Sequence, residues 1–132
     1  MLSGRRKLLL ADDSPTIQKV ISLTFGDEGF EVITVGDGGQ ALGVLNADAP
    51  PDVLLADVHM PGMTGVELHR HLVVTGRAIP TILVTAYPDE VVRDQALKDG
   101  VVCYLSKPVD DDDLERCLRS ALQPDTPIED NS

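Results

Sequence analysis

Four polar signals each follow a short apolar run. Asp12-Asp13 follows Leu8–Ala11, Asp57 follows Val53–Ala56, Thr85-Ala86 follows Thr81–Val84, and Lys107-Pro108 follows Val101–Leu105. If those runs are parallel strands of an open sheet, ligands bind beyond their carboxyl ends, and these residues converge at one edge. Three carboxylates brought together repel unless a cation sits among them or one takes a proton. A hard divalent ion with oxygen ligands, Mg²⁺ above all, answers that need. The Lys107 ammonium and the Thr85 hydroxyl add two further groups able to neutralise phosphoryl oxygens. One of the carboxylates can then act as a nucleophile and form an acyl phosphate.

The elements that must position these groups are legible in the hydrophobic pattern. The five apolar runs are Leu8–Ala11, Phe30–Val35, Val53–Ala56, Thr81–Val84 and Val101–Leu105. The first, third and fourth are nearly continuous Leu, Val, Ile and Ala, as in strands buried on both faces. Between them lie helical periods. Ile17, Val20, Ile21, Thr24 and Phe25 form one apolar stripe, and Leu114, Cys117, Leu118, Ala121 and Leu122 another. Val66, Leu68, Leu72 and Val73 predict a middle helix, and Ala41, Val44 and Leu45 a short one. Glu90–Lys98 has the poorest stripe and is expected to be the most loosely held helix. Ser14 is placed to cap the first helix, with Pro15 at its first position. Asp110–Asp113 open the last helix, where the dipole favours negative charge. Five alternations of strand and helix predict a doubly wound α/β sandwich of three layers, with five parallel strands and five helices.

Composition narrows the function classes. The chain has 132 residues, room for one domain. Its net charge of −11 opposes direct binding to a phosphate backbone and favours basic protein surfaces and metal cations as partners. Aromatics are 3% with no Trp, which argues against base stacking and against a membrane interface. No apolar run approaches a membrane span. Arg5-Arg6-Lys7 before Leu8–Ala11 mimics a signal peptide, but Asp12-Asp13 ends the apolar stretch too early. Cys103 and Cys117 show no CxxC spacing and are expected to be buried apolar residues of a cytoplasmic protein, without a redox or metal role.

The ordered set Asp12-Asp13, Asp57, Thr85 and Lys107 resembles the receiver domain of two-component response regulators. Met60-Pro61-Gly62-Met63 and Gly65 behind Asp57 match that family's D-x-x-M-P-x-M-x-G loop, and Lys107-Pro108 its K-P. The likeness runs from about Lys7 to Leu122. It implies residues 1–6 as an extension, 7–122 as the receiver and 123–132 as a flexible polar tail. It implies a flavodoxin-like sheet of order 2-1-3-4-5 and a cis Lys107-Pro108 bond. It further implies that Asp57 accepts a phosphoryl group from a phosphohistidine of a sensor histidine kinase. Asp13, Asp57 and the His59 backbone carbonyl would bind Mg²⁺, with Asp12 acting through a metal-bound water. Lys107 would pair with the phosphoryl oxygens, Thr85 would move to bond them, and Tyr104 would turn inward. The face of helix 4, strand 5 and helix 5 would then change partners. His59 and Tyr87, two residues past Asp57 and Thr85, are expected to tune the phosphoryl lifetime by steering or hindering water.

Other features take plainer meanings. His69 and His71 point to different faces of a helix, cannot chelate one ion, and are expected at the surface. Gly36, Gly38 and Gly39 read as a turn before helix 2. Asp110–Asp113 lack the turn Gly and distal Glu of a calcium loop. Two other readings, one of them an enzyme, compete with the signalling switch. An Asp-nucleophile phosphohydrolase would want a second Asp where His59 stands. A flavin carrier would find its phosphate repelled by Asp12-Asp13. The output is either docking to a downstream protein, relay to a phosphotransfer protein, or dimerisation of a stand-alone receiver. Alternatively, the chain is the receiver part of a longer transcription regulator.

Overall fold

Alternation along the strands sorts the core into two layers. In the computed structural model, which describes residues 6–122, Leu9, Ala11, Leu54, Ala56 and Leu83 face one side of the sheet. Leu8, Leu10, Val53, Leu55, Ile82 and Val84 face the other. The period of two in these runs is therefore what separates the clusters. The strands are β1 (Lys7–Ala11), β2 (Glu31–Val35), β3 (Val53–Asp57), β4 (Thr81–Thr85) and β5 (Cys103–Ser106). They form one parallel sheet in the order β2-β1-β3-β4-β5. The helices are α1 (Pro15–Gly26), α2 (Gly38–Leu45), α3 (Gly65–Val74), α4 (Glu90–Lys98) and α5 (Asp111–Leu122). Buried residues of α2, α3 and α4 join the first cluster, and those of α1 and α5 the second. No helix among the described residues is long and apolar enough to cross a membrane.

The helix signals at α1 and α5 act as the sequence predicts, and α3 adds one beyond those predicted. The Ser14 hydroxyl accepts from Ile17 N at 3.3 Å, with Pro15 opening α1. Thr64 and Glu67 make a reciprocal capping box at α3. At α5 the Asp110 carboxylate accepts from Asp112 N. Only Ala96 of α4 is buried, which agrees with its poor stripe.

Four expectations are corrected. The fifth run starts late: Val101-Val102 lie outside β5, with Val101 N bonded instead to Ala96 O at the end of α4. The α1 stripe is shallow, since Phe25 alone is fully buried and Val20 is half exposed. On α3, Val73 faces solvent and His69 is buried, because Gly65, Leu68, His69 and Leu72 make the inward stripe. Cys103 and Cys117 are joined as a disulfide between β5 and α5, with Cα atoms 6.2 Å apart. The fold brings them together although no short spacing announces it. The expected polar tail, 123–132, lies outside the described residues.

Candidate functional site

Strand register places the acidic residues. Ala11 of β1 pairs with Ala56 of β3, so the residues that follow, Asp12 and Asp57, emerge side by side at the carboxyl edge. Asp57 in turn pairs with Val84, which sets Thr85 one step beyond on β4. Thr85 O accepts from Lys107 N at 2.7 Å, fixing the chain that leaves β5. The Lys107-Pro108 peptide is cis, as expected.

Lys107 is the centre of the cluster. Its Nζ donates to Asp12 Oδ2 at 3.0 Å and to Asp57 Oδ2 at 2.9 Å. Asp12 is fully buried and Asp57 nearly so, whereas Asp13 is exposed. Burial works to lower the Lys107 pKa, but the hydrogen bonds and charges of Asp57 and Asp12 outweigh it and hold the ammonium above its ordinary 10.5. The second oxygens are held by backbone: Asp12 Oδ1 accepts from Ser14 N at 2.9 Å, and Asp57 Oδ1 from His59 N at 3.1 Å. Asp12, Asp13 and Asp57 each offer one carboxylate oxygen, all within 4.8 Å of one another. Three carboxylates against one ammonium leave a local excess of negative charge. That donor set, all oxygen and partly open to solvent, suits a hard divalent cation.

The structure gathers some predicted residues and holds others apart. Thr85 is buried beside the cluster, but its hydroxyl accepts from Tyr87 N at 3.0 Å rather than bonding Asp57 or Lys107. Tyr104 lies on the opposite side of β5 from Cys103. Its hydroxyl accepts from Asp89 N at 3.3 Å, at the start of α4. His59 and Tyr87 do meet: their rings stack edge to face with centroids 5.5 Å apart, across the mouth between the β3–α3 and β4–α4 loops.

Three residues hold positions that the sequence does not explain: Gln18, which no motif names, Gly65, which the motif names without a reason, and Gly38. Gln18 of α1 donates from Nε2 to Asp12 O at 2.7 Å and to Val35 O at 3.3 Å, tying the Asp12 turn to β2. A polar residue on the inward side of a helix start was the available signal. A Cβ on Gly65 would stand 2.6 Å from Asp57 O, so only glycine lets α3 begin against the end of β3. Gly38, expected in a plain turn, is the first residue of α2, where a Cβ would stand 2.5 Å from Met63 Cβ.

Comparison with known proteins places this geometry. The family model of the response regulator receiver domain matches residues 8–119. The transcriptional regulatory protein GlrR of Escherichia coli (strain K12) is 35% identical over 126 residues, covering 93% of this chain and 28% of that protein. The DNA-binding response regulator MtrA of Mycolicibacterium smegmatis is 32% identical over 119 residues, covering 90% of this chain and 51% of that protein. The chain thus spans about a quarter to a half of these relatives' lengths. The solved receiver domain of the Francisella response regulator 1452 superposes with a TM-score of 0.84 at 28% identity, over 92% of this chain and 99% of that one.

Proposed function

This chain belongs to the response regulator receiver domain family, and from that premise we propose that it is a phosphorylation-driven switch whose phosphoacceptor is Asp57. The observation that carries the proposal is the bridge of Lys107 Nζ to Asp12 and Asp57 inside an acidic cluster at the strand ends. An Asp57 oxygen attacks phosphorus, the P–N bond to the phosphohistidine of a sensor kinase breaks, and the imidazole leaves as the proton-bearing ring. Lys107 already stands against Asp57 and holds a positive charge where the transferred oxygens arrive. Asp12, Asp13, Asp57 and the His59 carbonyl would hold Mg²⁺, which supplies further charge neutralisation for the phosphoryl oxygens.

For the switch, Thr85 gives up its bond from Tyr87 N and turns its hydroxyl to the phosphoryl group. Tyr104 gives up its bond from Asp89 N and moves inward, altering the α4–β5–α5 face. A downstream protein, a phosphotransfer protein or a second copy then reads that face. The sensor kinase supplies the phosphoryl group in the cytoplasm. The chain catalyses only its own phosphorylation and dephosphorylation. The lengths of GlrR and MtrA favour a second reading beside the stand-alone one, in which this receiver is the input part of a longer transcription regulator.

Intact mass after incubation with Mg²⁺ and acetyl phosphate tests the proposal. One phosphoryl adduct that requires Mg²⁺ and is absent in Asp57→Asn is expected. No adduct on folded, Mg²⁺-binding protein would overturn it, and multiple turnover on small phosphate esters would favour a phosphohydrolase.

A further inference from the structure

The two cysteines of the chain are its only thiols, and the fold pairs them. Cys103 lies on β5, the edge strand, and Cys117 on α5, at a sequence separation of 14. The loop they close contains Lys107, so the bridge fastens both ends of the segment that carries the cation of the site. Their exposures differ in a useful way. Cys103 is partly exposed, whereas Cys117 is buried against the second core layer. Of the two residues Cys103 is therefore the better placed to meet a dissolved reagent first. A cytosolic glutathione pool keeps most dithiols reduced. In the compartment proposed above, the oxidation state of the pair is set by its own potential against that pool.

We propose that Cys103 and Cys117 are a reversible dithiol–disulfide modification site through which an oxidised glutathione-type disulfide fixes the β5–α5 segment and, with it, Lys107. The Cys103 thiol loses its proton and attacks the disulfide RSSR, forming a mixed disulfide and releasing RS⁻. The Cys117 thiol then loses its proton and displaces the second RS⁻. Two protein thiols are oxidised, one RSSR is reduced, and the two protons end on the two RSH formed. The effect on Lys107 rests on the proposed function; formation of the bond and its hold on the backbone do not.

The test equilibrates the full chain in glutathione buffers from fully reduced to fully oxidised, then acid-quenches and alkylates it with N-ethylmaleimide. Intact mass should pass from two adducts to none in one transition. Hydrogen exchange by mass spectrometry should then show peptides over residues 107–114 exchanging several-fold more slowly in the oxidised form. Phosphorylation by acetyl phosphate should differ at least twofold in rate between the two forms. Cys103→Ser should exchange like the reduced wild type at every ratio. Two adducts at all ratios would overturn the proposal, and so would oxidation that leaves exchange over 107–114 unchanged. Equal phosphorylation rates would overturn its effect on Lys107. If no phosphoryl adduct forms in either redox state, the receiver chemistry fails while mass and exchange still judge the bond.

Discussion

Replacing Asp13 by Asn should stabilise the protein in the absence of divalent ions and remove most of its response to Mg²⁺. Among the described residues the Asp13 carboxylate accepts no hydrogen bond, so the change breaks no bond and removes one negative charge. That charge lies within 4.8 Å of oxygens of both Asp12 and Asp57. At that separation two unit charges repel by about 0.9 kcal/mol in water and about 3.5 kcal/mol at an effective dielectric of about 20. Asp13 is exposed, so the lower figure governs. Two such repulsions, less the attraction of Lys107, leave about 1 kcal/mol. In a domain of this size that is roughly 4 °C in Tm. Thermal unfolding by circular dichroism in EDTA at low salt reads the gain, which should shrink in concentrated NaCl as screening shortens its range. With Mg²⁺ at roughly a hundred times its Kd the wild type gains about 2.7 kcal/mol. The variant should gain less than a third of that. Asp13→Asn that is less stable than wild type in EDTA, or that responds equally to Mg²⁺, would refute the account of the acidic cluster.

Three further outcomes are expected. Gly65→Ala should lose roughly 1–3 kcal/mol and slow phosphorylation, because the new Cβ meets Asp57 O at 2.6 Å, whereas Gly43→Ala, with open space around it, should gain up to about 1 kcal/mol; chemical denaturation of the pair checks the opposite signs. Burial holds the His69 pKa below its ordinary 6.5, against the charge of Asp99 and with that of Arg70. Its neutral form is the folded one, so its contribution to stability is complete above pH 6.5 and is lost as pH falls from there through the lowered value; urea midpoints against pH should flatten over that range in His69→Leu. His59→Asn and Tyr87→Ala should each shorten the phosphoryl lifetime by roughly 2- to 12-fold, the range an edge-to-face pair is worth, and the double variant should add little, since either loss frees the other ring; unchanged decay of the phosphoryl adduct would exclude the role.

Much of this was written locally. The strand ends carry the site because continuous apolar runs stop at Asp12, Asp57 and Thr85, and register then does the rest. Sheet order and the cis bond came through the family motif, not through periodicity. What local pattern missed depends on packing across the chain. Cys103 and Cys117 meet only after α5 lies on β5. The contact of Gly38 with Met63 joins the start of α2 to the β3–α3 loop, two places far apart in the sequence. His69 is a different case: the spacing 65, 68, 69, 72 points it inward, although His69 and His71 on different faces suggest two surface residues. Val20 erred the other way, an apolar residue on a stripe that the shallow seat of α1 leaves half uncovered.

The two glycine contacts give the site a mechanical handedness. On one flank the β3–α3 loop is closely packed twice, Gly65 against the Asp57 carbonyl and Gly38 of α2 against Met63, with no room for a Cβ at either glycine. On the other flank the β4–α4 loop runs exposed from Ala86 to Glu90 into a helix whose one fully buried residue is Ala96. The cleft is a vice with one fixed jaw and one sprung jaw. A phosphoryl group arriving at Asp57, as proposed above, would meet close packing on the first side and the open β4–α4 loop beyond Thr85 on the second.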